Sequence, residues 1–212
     1  MFLKLQQIIV KPGQQMLLQD ISWQQLENIL EEMGEKRAAR ISYSHGWLEI
    51  MVPLPEHEKD KEYIGELVRV LLDKLQIDFE PFGSTTLKNE RMRQAVEPDT
   101  SFYIRNQAAI IGKNRIDLNI DPPPDLAIEI DITSRTRFEN YEILGVPELW
   151  RHTQQGLEIY LLKEEKYIKS EFSPNFPDIP IVELVNEYVQ QCLTIGRSQA
   201  MRNFRDWVKN NL

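Results

Sequence analysis

The sequence predicts an α/β fold in which a central mixed β-sheet is flanked by helices. A buried-strand pattern stands in the middle of the chain, where five of the seven residues from 126 to 132 are apolar. Amphipathic segments, with apolar residues every three or four positions, occur before and after it at residues 57–75 and 182–212. Together these segments favour a sheet covered by helices.

The composition is that of a folded protein. The chain has 212 residues, of which 42% are hydrophobic and 27% charged, enough for one substantial core. We find no repeat, no low-complexity tract and no linker, so we expect a single domain over residues 1–212. Apolar runs are much shorter than the roughly 18 residues of a membrane span. The first residues show no secretory signal and Cys192 is the single cysteine, so we expect a cytoplasmic protein.

A helix and a hairpin are predicted near the N-terminus. Ser22 and Gln25 have the spacing of a capping box, and Gly34 is a suitable stop for the helix. The strands ARISYS and WLEIMV follow, joined by a turn at His45 and Gly46.

The longest helix is predicted at residues 57–75. Its first turn carries His57, Asp60 and Lys61 on the apolar face, so it could approach a site at the edge of the sheet.

The second half of the chain is predicted to contain most of the strands. Residues 105–124 read as an exposed connection that ends in three prolines. After the strand at 126–132, Thr136 and Glu139 form a second capping-box pattern, and Gly145 ends the short helix that would follow. Further strands are predicted in the segments ELWRH, GLEIYLL and KYIKSEF.

Two acids interrupt the apolar strand. Glu129 and Asp131 are two residues apart, so in a strand they point to the same face. Burying two like charges together is costly. A divalent cation with a preference for oxygen ligands, such as Mg²⁺, would remove that cost.

A third acid, Asp99, follows Pro98 in another strand-like segment. Two neighbouring strands joined by residues 105–124 could bring Asp99 and Glu129 onto one metal ion. Such an ion would polarise a phosphodiester and lower the pKa of a bound water. The alternative for each acid is structural: Asp99 in a Pro-Asp turn, and Glu129 paired with an arginine in the core.

Several other chemistries are excluded by the motifs. The glycines form neither a P-loop nor a GxGxxG pattern, and no G-x-S-x-G elbow is present. Three scattered histidines and one cysteine do not have the spacing of a zinc site. Tyr141 and Trp150 are expected in the core.

The order of Pro-Asp, a spacer and Glu-x-Asp resembles the PD-(D/E)XK nuclease fold. The segments EPDTSFYI, PPPDLAIEIDITSRT and YEILGVPELWR resemble more closely the Uma family of restriction endonucleases, a widespread bacterial family. The resemblance implies a restriction-endonuclease-like fold and Mg²⁺- or Mn²⁺-dependent cleavage of DNA. It divides the chain into a helix and hairpin (20–55), a nuclease core (56–170) and a C-terminal helical segment (181–212).

The same resemblance assigns the site. Asp99 and Glu129 correspond to the metal-binding acids, and Asp131 stands where the pattern has a lysine. Asp131 would be an additional ligand, or orient the attacking water, or be a structural acid paired with Arg135 or Arg137. Either arginine could supply the missing positive charge, and His57 is a further catalytic candidate, although a surface position is expected for it.

The charge distribution gives mixed support to a nucleic-acid substrate. The net charge is −8, which does not favour binding to phosphates. Between residues 88 and 116, however, the net charge is +3, and these residues are expected to line one rim around the acids. The six basic residues are Lys88, Arg91, Arg93, Arg105, Lys113 and Arg115.

Three functions remain open at this point. The first is a metal-dependent DNA endonuclease, the second a non-catalytic interaction module with a nuclease fold, and the third a phosphoesterase for a small phosphorylated substrate. Apolar residues exposed on the C-terminal helix would make a homodimer plausible.

Overall fold

The computed structural model describes residues 8–34, 37–132 and 136–212, which form two β-sheets and five α-helices. The strands are, in chain order, β1 (Gln15–Leu18), β2 (Arg40–Ser44), β3 (Trp47–Met51), β4 (Glu80–Pro81), β5 (Leu87–Asn89), β6 (Gln94–Val96), β7 (Thr100–Tyr103), β8 (Leu126–Asp131), β9 (Glu148–Thr153), β10 (Gly156–Lys163) and β11 (Lys166–Ser170). The helices are α1 (Trp23–Met33), α2 (Pro55–Lys74), α3 (Phe138–Leu144), α4 (Ile181–Thr194) and α5 (Arg197–Asn211).

The larger sheet is the predicted central mixed sheet. Its strand order is β11-β10-β9-β8-β7-β4. β8 and β9 are parallel and are connected through α3, whereas the other neighbours in this sheet are antiparallel. β8, the strand with the two acids, therefore lies inside the sheet between β7 and β9.

The smaller sheet is antiparallel and has the order β1-β3-β2-β6-β5. It contains the predicted hairpin of β2 and β3. His45 and Gly46 both have positive φ angles, 47° and 95°, as a tight two-residue hairpin turn requires. The sequence did not indicate this second sheet. Its strands come from three separate parts of the chain, namely β1, the hairpin and residues 87–96, and their pairing depends on contacts between those parts.

The predicted start of α1 is confirmed. Ser22 accepts a hydrogen bond from the amide of Gln25, whose side chain bonds back to the amide of Ser22, and the helix ends at Gly34. α2 begins at Pro55, where the missing amide hydrogen costs nothing because the first turn has no intrahelical acceptor for it.

Three apolar clusters join these layers. The first packs α1 on one face of the smaller sheet, around Leu26 and Tyr43. The second fills the space between the two sheets and α3, and includes Val96 and Tyr141. The third packs α2, α4 and α5 on the other face of the larger sheet, around Trp150. The prediction that Tyr141 and Trp150 are core residues is confirmed.

The prediction for residues 105–124 was wrong in part. This segment contains a short 3-10 helix, Gln107–Ala109, and it buries Ile110 and Ile116 in the cluster between the sheets. The two isoleucines gave no strand or helix periodicity, so the sequence pattern did not indicate that they are buried.

None of the helices in the described part of the chain is both long and apolar enough to cross a membrane.

Candidate active site

Asp99 and Glu129 lie side by side in the larger sheet. Asp99 directly precedes β7, and β7 pairs with β8 so that Thr100 faces Ile128, which places Asp99 opposite Glu129. The two carboxyl groups are within hydrogen-bonding reach of each other. Two acids that are thirty residues apart in the sequence are therefore neighbours where β7 and β8 pair.

The carboxyl of Asp99 is buried, with 5% of the residue exposed. Its Oδ2 atom accepts a hydrogen bond of 2.8 Å from the amide of Ile130. The Nε atom of Arg40 lies 3.8 Å from Oδ1. Burial raises the pKa of Asp99, and the Ile130 amide and the Arg40 guanidinium oppose that rise.

Glu129 is held by a tyrosine of α3. The hydroxyl of Tyr141 donates a hydrogen bond to Oε1 of Glu129. Burial raises the pKa of Glu129 well above its usual value, and the negative charges of Asp99 and Asp131 add to that rise. Because both acids of the pair have raised pKa values, they are suited to share a proton or to bind a cation together.

Asp131 has a different environment. Its carboxylate accepts hydrogen bonds from the amide (3.0 Å) and the hydroxyl (2.6 Å) of Thr136, and Nε of Arg151 lies 3.6 Å away. These contacts tie the end of β8 to the start of α3.

The predicted capping box of Thr136 and Glu139 is therefore wrong. α3 begins after Arg137, whose side chain has no acceptor to cap the helix, and the hydroxyl of Thr136 bonds to Asp131. Arg137 pairs with Glu49 at 3.1 Å rather than with Asp131. Arg135 lies outside the described residues.

A small cavity of about 70 Å³ opens beside the acid pair. Its cations are Arg40 and Arg137. The side chain of Arg137 is half exposed, whereas that of Arg40 is largely buried. The other lining residues are Ile41, Ser42, Glu49, Met51, Val96, Glu97, Asp99, Glu129, Asp131, Thr136, Asn140 and Tyr141.

The donor set of Asp99 and Glu129 fits a hard divalent cation. Mg²⁺ typically binds one or two carboxylates and fills its remaining positions with water. In the described residues no group of three or more His, Cys, Asp or Glu side chains is arranged to hold a metal ion. The geometry therefore fits a two-carboxylate site, with Asp131 occupied by Thr136 and Arg151.

His57 was expected at the surface, and this expectation was wrong. The residue is 1% exposed, because α2 turns it towards the sheet. His57 lies close enough to Asp99 and Asp60 to influence the charge of both carboxyls. It does not line the cavity of the acid pair. The first turn of α2 nevertheless approaches the site, since Glu58 pairs with Arg40 at 3.2 Å.

The six basic residues from 88 to 115 do not form one rim. Lys88 and Arg115 line a larger groove next to the acid cavity. Arg105 and Lys113 pair with Asp125 and Asp121. Arg91 and Arg93 lie in the exposed turn between β5 and β6.

Arg40 and the hydroxyl of Tyr141 contact the acid pair, which the sequence did not indicate. Arg40 begins β2 in the other sheet, so no local spacing connects it with Asp99. Tyr141 was assigned to the core, which is correct for its ring. A buried tyrosine hydroxyl usually has a hydrogen-bond partner, and this rule could have predicted a polar neighbour for Tyr141.

Comparisons with known proteins place the chain in a family and a fold. The model of the Uma2 family, described as "Putative restriction endonuclease", matches residues 23–195. Among solved structures, the chain is similar to a protein of Anabaena variabilis ATCC 29413 described as a "putative nuclease belonging to DUF820". That likeness has 18% identity and a TM-score of 0.50, and it covers 73% of this chain and 93% of that chain, which shows the fold alone. No curated protein sequence matches. Since the family model extends from the start of α1 to the end of α4, the chain belongs to the Uma2 family.

Proposed function

We propose that the protein is a divalent-metal-dependent endonuclease that hydrolyses phosphodiester bonds of DNA. The observation that supports this most directly is the pair of Asp99 and Glu129, whose carboxyls meet on neighbouring strands beside an open cavity. Acids with raised pKa values in a cleft are typical of functional sites.

Asp99 and Glu129 would hold a Mg²⁺ or Mn²⁺ ion. When bound, the ion supplies Lewis-acid polarisation of the phosphodiester and lowers the pKa of water. The chain's own contribution is the placement of the two carboxylates. The Ile130 amide orients Asp99, and the Tyr141 hydroxyl orients Glu129.

Two arginines take different roles in this proposal. Arg40 is largely buried and lies beside Asp99, so it favours the ionised carboxylate that binds metal. Arg137 is half exposed and lines the cavity, so it is placed to meet the charge of the scissile phosphate. Arg137 would therefore supply the positive charge that the related nuclease pattern takes from a lysine at the position of Asp131.

We place Asp131 outside the ligand set. Its oxygens already accept hydrogen bonds from the amide and the hydroxyl of Thr136, and Arg151 balances its charge. Its role in the proposal is to hold Thr136, near the start of α3, and through α3 the hydroxyl of Tyr141.

The experiment is a cleavage assay on single-stranded and on duplex circular DNA with Mg²⁺ or Mn²⁺. Cleavage by the wild type should be lost in Asp99→Asn and in Glu129→Gln. Glu148→Gln is a matched control: Glu148 is a buried glutamate of the same sheet, bonded to Trp150 and Asn175 and remote from the cavity. That variant should lose stability but keep its activity per folded molecule. Equal cleavage by all three variants would overturn the proposal. Cleavage of small phosphate esters only would favour the phosphoesterase alternative, and no hydrolysis at all would favour the non-catalytic module.

A further inference from the structure

A second, larger cavity adjoins the acid pair. It measures about 490 Å³ and lies between α1, the segment that leads into β5, and residues 114–116. Its lining is mostly polar and includes Glu27, Arg40, Lys88, Glu97 and Arg115. We call this cavity the α1 groove.

The α1 groove is a direct neighbour of the candidate active site. Arg40 and Glu97 line both cavities. Glu97 accepts bonds from the amide of Ile41 (3.0 Å) and from the side chains of Arg37 and Thr86. The wall between the two cavities is thus built by a buried, fully bonded acid, which gives it a fixed shape.

The two cavities differ in what they can hold. A cavity of about 70 Å³ has room for an ion and a few atoms of a phosphate, not for a nucleotide. A cavity of 490 Å³ lies within the range of about 300–1,000 Å³ in which proteins bind small organic ligands. A strand that placed a phosphate at the acid pair would therefore need the α1 groove for its neighbouring sugar and base.

The lining of the α1 groove suits a sugar–phosphate backbone. The cations Lys88 and Arg115 and the hydroxyls of Ser84 and Thr85 can donate hydrogen bonds to phosphate oxygens. None of its described lining residues is aromatic, so it offers no platform for base stacking. Recognition would depend on the backbone and be insensitive to sequence.

Lys88 is held by an acid across the α1 groove. Its Nζ atom lies 2.6 and 2.7 Å from the carboxylate oxygens of Glu27 on α1. A phosphate that binds Lys88 must compete with Glu27, so this pair weakens the attraction for nucleic acid in the resting protein.

We propose that the α1 groove binds the backbone of a single DNA strand beside the scissile phosphate, and that Glu27 limits this binding by neutralising Lys88. The proposal rests on the proposed nuclease function. The α1 groove has room for about one nucleotide. A nucleotide of a single strand can enter such a cavity, whereas a base-paired nucleotide of a duplex cannot, so we favour a single strand.

The test measures binding of a labelled single-stranded oligonucleotide to the full chain by fluorescence anisotropy, in EDTA, over a range of salt concentrations. Lys88→Gln should weaken binding by about fivefold and reduce the slope of log K against log salt by about 0.7, the value for one lost phosphate contact. Glu27→Gln should strengthen binding by about fivefold, because Lys88 loses its competitor. Arg115→Gln should behave like Lys88→Gln.

Lys166→Gln is the matched control. Lys166 is also paired with a glutamate, Glu142, but it lies on β11 and outside the α1 groove. It should bind the strand as the wild type does, and thermal melts should show that all variants are folded. Unchanged binding in both Lys88→Gln and Glu27→Gln, or no binding by the wild type at low salt, would overturn the proposal.

A duplex bound more tightly than the single strand would also overturn it. The two proposals fail separately, because binding is measured without metal and cleavage with it. If the wild type cleaves DNA but the α1-groove variants bind the strand as the wild type does, the α1-groove proposal is rejected and the nuclease proposal stands. If binding changes as predicted but no DNA is cleaved, the nuclease proposal is rejected and the α1 groove remains a binding site.

Discussion

The Nε atom of Arg40 lies 3.8 Å from Oδ1 of Asp99, although Arg40 belongs to the smaller sheet and Asp99 leads into the larger one. This contact links the two sheets at the acid pair. Burial raises the pKa of Asp99, and the guanidinium holds that rise in check. Arg40 also pairs with Glu58 in the first turn of α2. A change at Arg40 should therefore be felt at the candidate metal site.

We predict that Arg40→Gln shifts the acidic limb of the pH–activity profile upward by about one pH unit. Without the guanidinium, the pKa of Asp99 rises further and less of the ionised form is present to bind metal. At a pH on that limb, a shift of one unit lowers activity by about tenfold. The measurement is cleavage rate against pH at a fixed Mn²⁺ concentration well below saturation, where protonation of Asp99 competes with metal binding.

The control for Arg40 is Glu58→Gln. It removes the other partner of the arginine but leaves the positive charge beside Asp99, so the limb should not move upward. A profile of Arg40→Gln that coincides with the wild-type profile would contradict the role of Arg40.

For Asp131→Asn, we predict the same loss of stability with and without Mn²⁺, of about 1–3 kcal/mol. The asparagine weakens the bonds to Thr136 and the charge balance with Arg151, but no metal contact is lost. Thermal melts of both proteins, each with and without Mn²⁺, give the answer. Thr136→Val should reproduce the loss. If Mn²⁺ stabilised the wild type but not the Asn variant, Asp131 would be a ligand after all.

Tyr141→Phe should weaken Mn²⁺ binding and cost about 1 kcal/mol of stability, because Glu129 loses a hydrogen bond that favours its ionised form. Isothermal titration with Mn²⁺ measures the affinity. Tyr43→Phe is matched to it, since Tyr43 is also fully buried and its hydroxyl bonds the carbonyl of Ile21 at 3.0 Å. That variant should lose comparable stability and bind Mn²⁺ normally. Equal Mn²⁺ affinity in both variants would count against a role for Tyr141.

His152 should make the protein less stable as the pH falls below about 6.5. Burial lowers the pKa of His152, so the unfolded chain takes up a proton at a higher pH than the folded chain does. The contribution of His152 to the free energy of unfolding is therefore complete above the pKa of the histidine in the unfolded chain. It is lost as the pH falls from that pKa towards the lower pKa of His152 in the folded protein. Asp60, 3.5 Å away, has a raised pKa and acts in the opposite direction.

We predict that His152→Gln flattens the decrease in unfolding free energy between pH 7 and pH 5.5, measured by urea denaturation. The effect is limited to about 1.4 kcal/mol per pH unit for one proton. The exposed His45 serves as control, and His45→Asn keeps a residue that tolerates the positive φ angle of that turn. If the unfolding free energy of the His152 variant decreased with falling pH as steeply as that of the wild type, groups other than His152 would cause the loss of stability.

Local features were the ones that the sequence predicted well. The capping box of Ser22 and Gln25, the turn at His45 and Gly46, and the end of α3 at Gly145 depend on residues within a few positions of one another. The strand at 126–131 was evident from its apolar pattern. All the residues that determine such features lie within a short segment, so the features can be predicted without knowledge of distant contacts.

Contacts outside the short sequence patterns explain what was missed. Thr136 has the spacing of a helix cap, but its hydroxyl bonds to Asp131, which precedes the capping pattern. His57 begins a helix, where exposure is common, but α2 packs that turn against the sheet. The candidate acids Asp99 and Glu129 could be named because both are unusual in strand-like segments. The neighbouring Arg40 could not, because its contact depends on how two sheets meet.

A crystal of the protein soaked in Mn²⁺, with anomalous diffraction data, tests the acid pair most directly. We predict an anomalous peak between the carboxylates of Asp99 and Glu129, with the carboxylate of Asp131 still bonded to Thr136, and no peak in a crystal of Asp99→Asn. Carboxyls of Asp99 and Glu129 that still share a hydrogen bond in the soaked crystal, with no peak between them, would contradict the proposed metal site.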